Sequence, residues 1–155
     1  MAEAVELSTS KMIDKDTNAI ALYLKSLPGE ENGPGPSAVD HNVMAVGGAI
    51  YRAQCSACHG IEGNGAHLFA FLVESAMVRL NDPTTVIRMV LRGARSVGTK
   101  DEPTAPGMPS CGWQLDDRQV ADVLNYLRNS WGGAAAPVDA RDVTRVRSET
   151  ASRND

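Results

Sequence analysis

Residues 55–59 read Cys55-Ser56-Ala57-Cys58-His59, and these five positions decide the fold. Two thiols at this spacing can each add to one vinyl group of a single porphyrin, and a His directly after the second Cys is then held beneath the iron as its proximal ligand. Two other chemistries also use Cys-x-x-Cys. A zinc knuckle needs a second ligand pair, which Cys111 and His67 supply poorly at this spacing. A thioredoxin-like redox pair expects a strand before the motif, whereas residues 51–54 carry a helical pattern up to it. Three cysteines are an odd number for a disulfide framework; two bound to haem, with Cys111 left over, account for them. The motif therefore predicts one covalently bound haem c, attached through Cys55 and Cys58 and ligated by His59.

Outward from the motif the chain reads as all-α. A helix is expected from His41 or Asn42 to Gln54, with Val46, Ile50 and Tyr51 on one side. Gly47 and Gly48 in its middle cost about 1 kcal/mol each relative to Ala, so a close backbone approach should require them. After His59, Gly60, Gly63 and Gly65 punctuate a loop. Asp82-Pro83 opens the next helix as N-cap and first residue, Val86, Ile87, Val90 and Leu91 form its apolar face, and Gly93 closes it. Residues 94–113 lack helical period and should wrap as an extended loop. In the last helix Asp116 and Gln119 make a capping-box pair, Val120, Val123, Leu124, Leu127 and Trp131 form the stripe, and Gly132-Gly133 ends it.

Four segments follow from this reading. Residues 1–27 hold a helix with Ile20, Tyr23, Leu24 and Leu27 on one face; 28–42 are a Gly/Pro-rich linker; 43–133 are the haem domain; 134–155 are a polar tail, expected to pack loosely. When Asp14-Lys15 is laid on Asp117-Arg118, Tyr23-Leu24-Lys25 falls on Tyr126-Leu127-Arg128. Helical periodicity alone can generate such a match. If the echo is genuine, the first helix closes a preceding copy of the same domain.

The candidates for a sixth iron ligand are His67, Met77, Met89 and Met108. Met89 lies within a helix and Met77 in an apolar stretch with Val78 and Leu80, and both read as core filling. His67 stands only eight residues beyond His59, too near to reach the opposite face of the porphyrin without a very tight wrap. Met108 sits in Pro106-Gly107-Met108-Pro109, a stiff, non-helical loop that presents its thioether after a long excursion. His59/Met108 ligation would leave no open coordination position and raise the reduction potential, which suits electron transfer.

A formal charge of −4 argues against a nucleic-acid partner. No apolar run approaches bilayer length, so membrane association is expected only through partners or missing segments. The N-terminus lacks the basic-then-apolar order of a secretory signal, although Cys-x-x-Cys-His chemistry belongs to the periplasm. The expectation is a signal already removed, or a piece of a longer exported protein. Six Met against two Trp, three Tyr and two Phe leave room for a flat cofactor in the core.

Gly47-x-x-Ile50-Tyr51-x-x-x-Cys55-x-x-Cys58-His59-Gly60, the Met108-Pro109 loop and the closing Tyr126-Leu127-Arg128-Asn129-Ser130-Trp131-Gly132 together resemble a class I cytochrome c domain. More narrowly, they resemble the third haem domain of the three-haem cytochrome subunit of membrane-bound alcohol, gluconate and sorbitol dehydrogenases. The likeness spans about residues 43–146, with Val138-x-x-x-x-Val143 and Arg147, and the first helix resembles the end of that subunit's second haem domain. It implies three to five short helices round one haem, with the Gly47/Tyr51 helix crossing the Tyr126/Leu127 helix. The family has Phe-Pro where this chain has Phe69-Ala70, so the carbonyl that receives the His59 imidazole N–H would be that of Ala70, on a less rigid loop. Cys111 replaces a large apolar residue and reads as a small buried hydrophobe. Trp113 would either pack on the haem edge or serve as a plain core aromatic.

The function so implied is an electron carrier without a substrate of its own. It would accept electrons from a flavin, quinone or molybdenum dehydrogenase subunit, or from a neighbouring haem. It would pass them to a quinone, cytochrome or oxidase of the respiratory chain. The rival is a haem sensor or enzyme with an open sixth position, which follows if Met108 does not bind iron.

Overall fold

The computed structural model describes residues 2–28, 38–66, 68–73, 75–100 and 102–151. In chain order the elements are α1 (Ala2–Leu7), a 3-10 turn (Thr9–Lys11), α2 (Asp14–Ser26), α3 (His41–Gln54), α4 (Ser56–His59), α5 (Ala76–Arg79), α6 (Thr84–Arg92), β1 (Ala94–Arg95), β2 (Gly107–Met108), α7 (Asp117–Asn129) and α8 (Ala140–Ala151). Backbone contacts divide the chain into two compact units, residues 1–32 with 95–108, and 33–94 with 109–155.

In the first unit α2 forms where the helical period places it, but it buries nothing: Ile20, Tyr23, Leu24 and Leu27 are 46%, 65%, 59% and 46% exposed. Most of the Gly/Pro-rich linker, including 33–36, lies outside the described residues. The expected extended loop is more structured than its composition suggests. β1 pairs with β2, and Ser96 donates its N–H and its hydroxyl to the Pro106 carbonyl, each at 3.1 Å. Thr99 and Glu102 close the tip through an N–H···O bond of 2.8 Å. Pro103 and Pro106 have no N–H to offer, and Pro106 serves the loop through its acceptor.

The second unit is built on the crossing of α3 and α7. Asp40 caps α3 by accepting from the N–H groups of Asn42 (2.8 Å) and Val43 (3.4 Å), a signal present in the sequence and missed. The buried face of α3 is Gly47, Gly48 and Tyr51. Val46, expected on that face, is 47% exposed, because the close approach runs over the glycines instead. A Cβ on Gly47 would lie 2.1 Å from the Asp122 carbonyl oxygen, and one on Gly48 3.0 Å from the Tyr126 ring. Gly47→Ala should therefore destabilise the protein by about 2 kcal/mol or more, since a backbone carbonyl cannot swing aside. Gly48→Ala should be near neutral, its ring contact offset by the ~1 kcal/mol helix preference of Ala. Denaturant unfolding of the two variants checks the contrast.

The capping box at Asp116 and Gln119 is present in both directions. The helix behind it is more buried than one stripe allows: Asp122, Asn125 and Arg128 join Val120, Ala121, Val123 and Leu124 inside. α7 is covered by α3 and also by α6 and α8. α6 starts at Thr84, one residue later than expected, with the Asp82 carboxylate still accepting from the Thr84 N–H at 2.9 Å. Its four expected apolar residues are buried, and Gly93 ends it at φ 77°.

The stretch expected as a loosely packed tail instead forms α8, with Val143, Val146 and Thr150 buried. Its apolar content is too small for a period to stand out, and polar contacts complete the docking. Arg147 reaches Asp117 at 2.6 Å and the carbonyls of Gly112 (2.6 Å) and Leu115 (2.9 Å). The Thr144 hydroxyl donates to Asp117 at 2.6 Å. Thr144 first, and Arg147 with it, hold the Asp117 carboxyl below the usual carboxylate range.

Candidate functional site

The chemistry-bearing turn grows directly from the end of α3. Cys55 takes αR geometry at the C-cap, donating its N–H to the Tyr51 carbonyl at 2.9 Å, and α4 adds one further turn in which the His59 N–H donates to the Cys55 carbonyl at 3.0 Å. Gly60, at φ 76°, then turns the chain away. Side chains three and four apart share a helix face, so Cys55, Cys58 and His59 are presented together, each half-buried.

The loop after Gly60 folds back to support the imidazole. The Gly65 N–H donates to the His59 carbonyl at 2.8 Å, Leu72 N–H to the Gly63 carbonyl at 2.8 Å, and Ala66 and Phe69 form a short bridge. Gly65 adopts φ 63°, and a Cβ there would lie 2.4 Å from the Phe69 carbonyl, so the tight pass requires glycine. This return places the Ala70 carbonyl 2.9 Å from His59 Nδ1. A carbonyl only accepts, so Nδ1 carries the proton and Nε2 keeps its lone pair for a metal. The Tyr51 hydroxyl ties the same turn to α3 by donating to the Gly60 carbonyl at 2.6 Å, and burial pushes its pKa up to about 12.

The donor set fits a covalently held haem: two thiols and an imidazole on one helical turn, the imidazole fixed in a ligating tautomer. The surrounding loop also leaves Ile61, Leu68 and Phe71 exposed, apolar surface of the kind a macrocycle covers. A thioredoxin-type pair fits less well. Burial pushes the Cys55 thiol up to about 11, with Cys111 and Cys58 adding to the rise, whereas a reactive pair needs a lowered pKa. Among the described residues no group of three or more His, Cys, Asp or Glu is placed to hold a metal ion, so Cys111 does not complete a zinc-type set.

The other candidates fall as follows. Met108 ends β2, half-buried, in the unit formed with residues 95–108. His67 lies outside the described residues. Met89 is half-buried on α6, while Met77 is 41% exposed on α5, and not the core residue expected, because Val78 takes the buried position there. Trp113 is 78% exposed and is not a plain core aromatic. Cys111 is buried, its N–H donated to the Val90 carbonyl at 2.9 Å. The aromatic residues that do pack are Tyr51, Tyr126 and Trp131, with ring centroids 5.4 to 5.6 Å apart.

Residues 44–131 match the family model described as cytochrome c. The chain is 38% identical to the cytochrome c subunit of gluconate 2-dehydrogenase from Pantoea cypripedii, over 96% of this chain and 36% of that protein. It is 35% identical to the cytochrome c subunit of the quinone alcohol dehydrogenase of Gluconacetobacter polyoxogenes, over 95% and 34%. It is 28% identical to the fructose dehydrogenase cytochrome subunit of Gluconobacter japonicus, over 95% and 36%. The chain thus spans about a third of the length of these curated relatives.

Proposed function

The chain belongs to the cytochrome c family, and on that premise we propose that it carries a single-haem electron-transfer domain serving a dehydrogenase. The observation that carries this reading is the turn 55–59, with the His59 tautomer held by Ala70 O. Cys55 and Cys58 are the thiols for the thioether tether, and His59 Nε2 is the nitrogen for the iron. The Ala70 carbonyl, pulling on the Nδ1 proton, makes the imidazole a stronger donor. Met108 is the sixth ligand in this proposal, supported by the proline-flanked loop that presents it. Trp113, exposed in the polypeptide, is available to the haem edge. Bound there, the haem supplies a one-electron couple between ferric and ferrous iron.

The relatives are cytochrome subunits of gluconate, alcohol and fructose dehydrogenases, which supports a dehydrogenase as partner; in this proposal the dehydrogenase is the electron donor and a respiratory quinone, cytochrome or oxidase the acceptor. The same likeness supports a periplasmic placement as part of the proposal. Among the described residues no helix is long and apolar enough to cross a membrane, so attachment to one would run through partners or through segments beyond this chain. The exposed apolar face of α2, echoing that of α7, supports the proposal that α2 closes a second domain of the same type.

The test is a spectrum. Expressed with the periplasmic haem-attachment machinery, the protein should be red and six-coordinate, and its ferrous spectrum should not change under carbon monoxide. A carbon monoxide shift in the native protein would instead make it a sensor or enzyme with an open coordination position.

A further inference from the structure

Arg128 lies on α7 at 0% exposure, and its guanidinium is satisfied entirely by main-chain oxygens. Nη1 donates to the carbonyls of Val78 (2.9 Å) and Leu80 (2.8 Å), while Nε and Nη2 donate to that of Ala136 at 3.4 and 3.2 Å. Among the described residues no carboxylate pairs with it, and Asp122, a turn and a half earlier on α7, is bonded to Arg118 at 3.2 Å. The two segments that cage the guanidinium, 76–80 and 130–138, carry Arg79 as their sole ionisable side chain. Burial pulls the Arg128 pKa down, yet a guanidinium stays protonated through the range in which proteins are folded. The interior thus contains a permanent cation that, among the described residues, is held by carbonyl dipoles and not by a carboxylate.

Tying loops to α7 does not require this. Asn125, a neutral donor and acceptor on the same helix, exchanges two hydrogen bonds with Val138 at 3.0 and 2.7 Å and does the same structural work. Desolvating a charge is far more costly than desolvating an amide, and breaking one partner away from it costs more again. What a cation alone supplies is a field, and in a poorly screened interior that field reaches across a domain. Tyr126 and Trp131, on either side of Arg128 in sequence, lie 5.5 and 5.4 Å from the Tyr51 ring. The Tyr51 hydroxyl bonds the Gly60 carbonyl, adjacent to His59, at 2.6 Å. Arg128 itself faces residues 78, 80 and 136, but the helix that carries it packs on α3, and α3 runs directly into the ligand turn, so cation and turn belong to one compact unit.

We infer that Arg128 sets the redox poise of this domain: a buried cation, bonded to main-chain carbonyls, that raises the reduction potential of the haem held at Cys55, Cys58 and His59. The inference rests on the electron-transfer reading. Reduction adds one electron from the donor to ferric iron, no bond forms or breaks, and a fixed positive charge favours the product, which carries one positive charge fewer.

The experiment is potentiometric titration of the holoprotein as wild type, Arg128→Gln and Arg128→Lys, with circular dichroism to report folding. Arg128→Gln should titrate at a lower potential while its absorption spectrum remains six-coordinate. A buried lysine releases its proton within the accessible pH range. Arg128→Lys should therefore match the wild type at acid pH and drop toward the Gln value as pH rises, a step the wild type lacks. A folded Arg128→Gln at the wild-type potential would overturn the inference, as would a Lys variant without the extra step. Loss of folding in both variants would assign the residue to structure alone and overturn it equally. A wild type that acquires no covalent haem would sink the electron-transfer reading itself, and so is distinguishable from these outcomes.

Discussion

Replacing Cys55 and Cys58 together by Ala is expected to abolish haem staining of the denatured chain on electrophoresis, with essentially complete loss of signal. The thioethers are the only covalent tether in this reading, and a denatured chain keeps no cofactor through His59 alone. The two thiols stand on one turn with the imidazole, so losing both leaves His59 alone to hold a porphyrin there. The single variants should each keep a weaker stain through the remaining thiol. Folding should suffer too. With Ile61, Leu68 and Phe71 left exposed by the polypeptide, the chain alone buries too little apolar surface round the site. Expression without the attachment machinery should accordingly give a poorly folded chain. Haem stain that survives the double change, or a well-dispersed NMR spectrum from haem-free protein, would sink the assignment.

Met108→Ala is expected to have the second-largest effect. A thioether is a weak ligand that favours ferrous iron, so its loss should lower the reduction potential, remove the weak sulfur-to-iron charge-transfer band of the oxidised protein and open the iron to carbon monoxide. The Pro106 and Pro109 flanks restrict the free loop and reduce the entropy lost on ligation. The β1–β2 pairing and the Ser96 bonds to Pro106 add a further restraint. Met77→Leu and Met89→Leu should leave all three properties intact. For Met89 the reason is conserved volume in a half-buried helix position, and for Met77 it is an exposed position with little packing to lose. If Met108→Ala leaves the spectrum unchanged while either other change alters it, the sixth ligand lies elsewhere.

The two experiments probe parts of the protein that differ in how openly the sequence shows them. The Cys-x-x-Cys-His turn is local: one helical turn brings Cys55, Cys58 and His59 together without help from distant residues. The Ala70 contact is not local in this sense. Alanine carries no polar side chain to advertise a hydrogen bond, and its carbonyl reaches His59 only because Gly60, Gly63 and Gly65 allow the return. The resemblance to class I cytochromes pointed to that position, and the backbone geometry supplies the bond. Arg128 stands in the closing motif that carries the same resemblance, but nothing in that motif marks it as buried. On a helical projection it is one more basic residue beside an apolar stripe, and only the three carbonyls brought from residues 78, 80 and 136 make its burial affordable.

What the sequence by itself determined is therefore short-range. The helical periods of α2, α3, α6 and α7, the Asp116/Gln119 capping box, the Gly93 stop and the Cys-x-x-Cys-His turn all depend on residues within a few positions of one another, where spacing and side-chain type suffice. What only the tertiary structure decided is which surfaces are covered. The α2 face, apolar by period, stays exposed, while α8, which carries only two valines on its inward face, is buried through Val143, Val146 and the reach of Arg147. Asp122, Asn125 and Arg128 lie inside because α7 is packed by α3, α6 and α8 at once. The physical reason is that a period encodes a preference for burial, whereas burial itself requires a partner, and partners distant in the chain are chosen only when the whole domain closes.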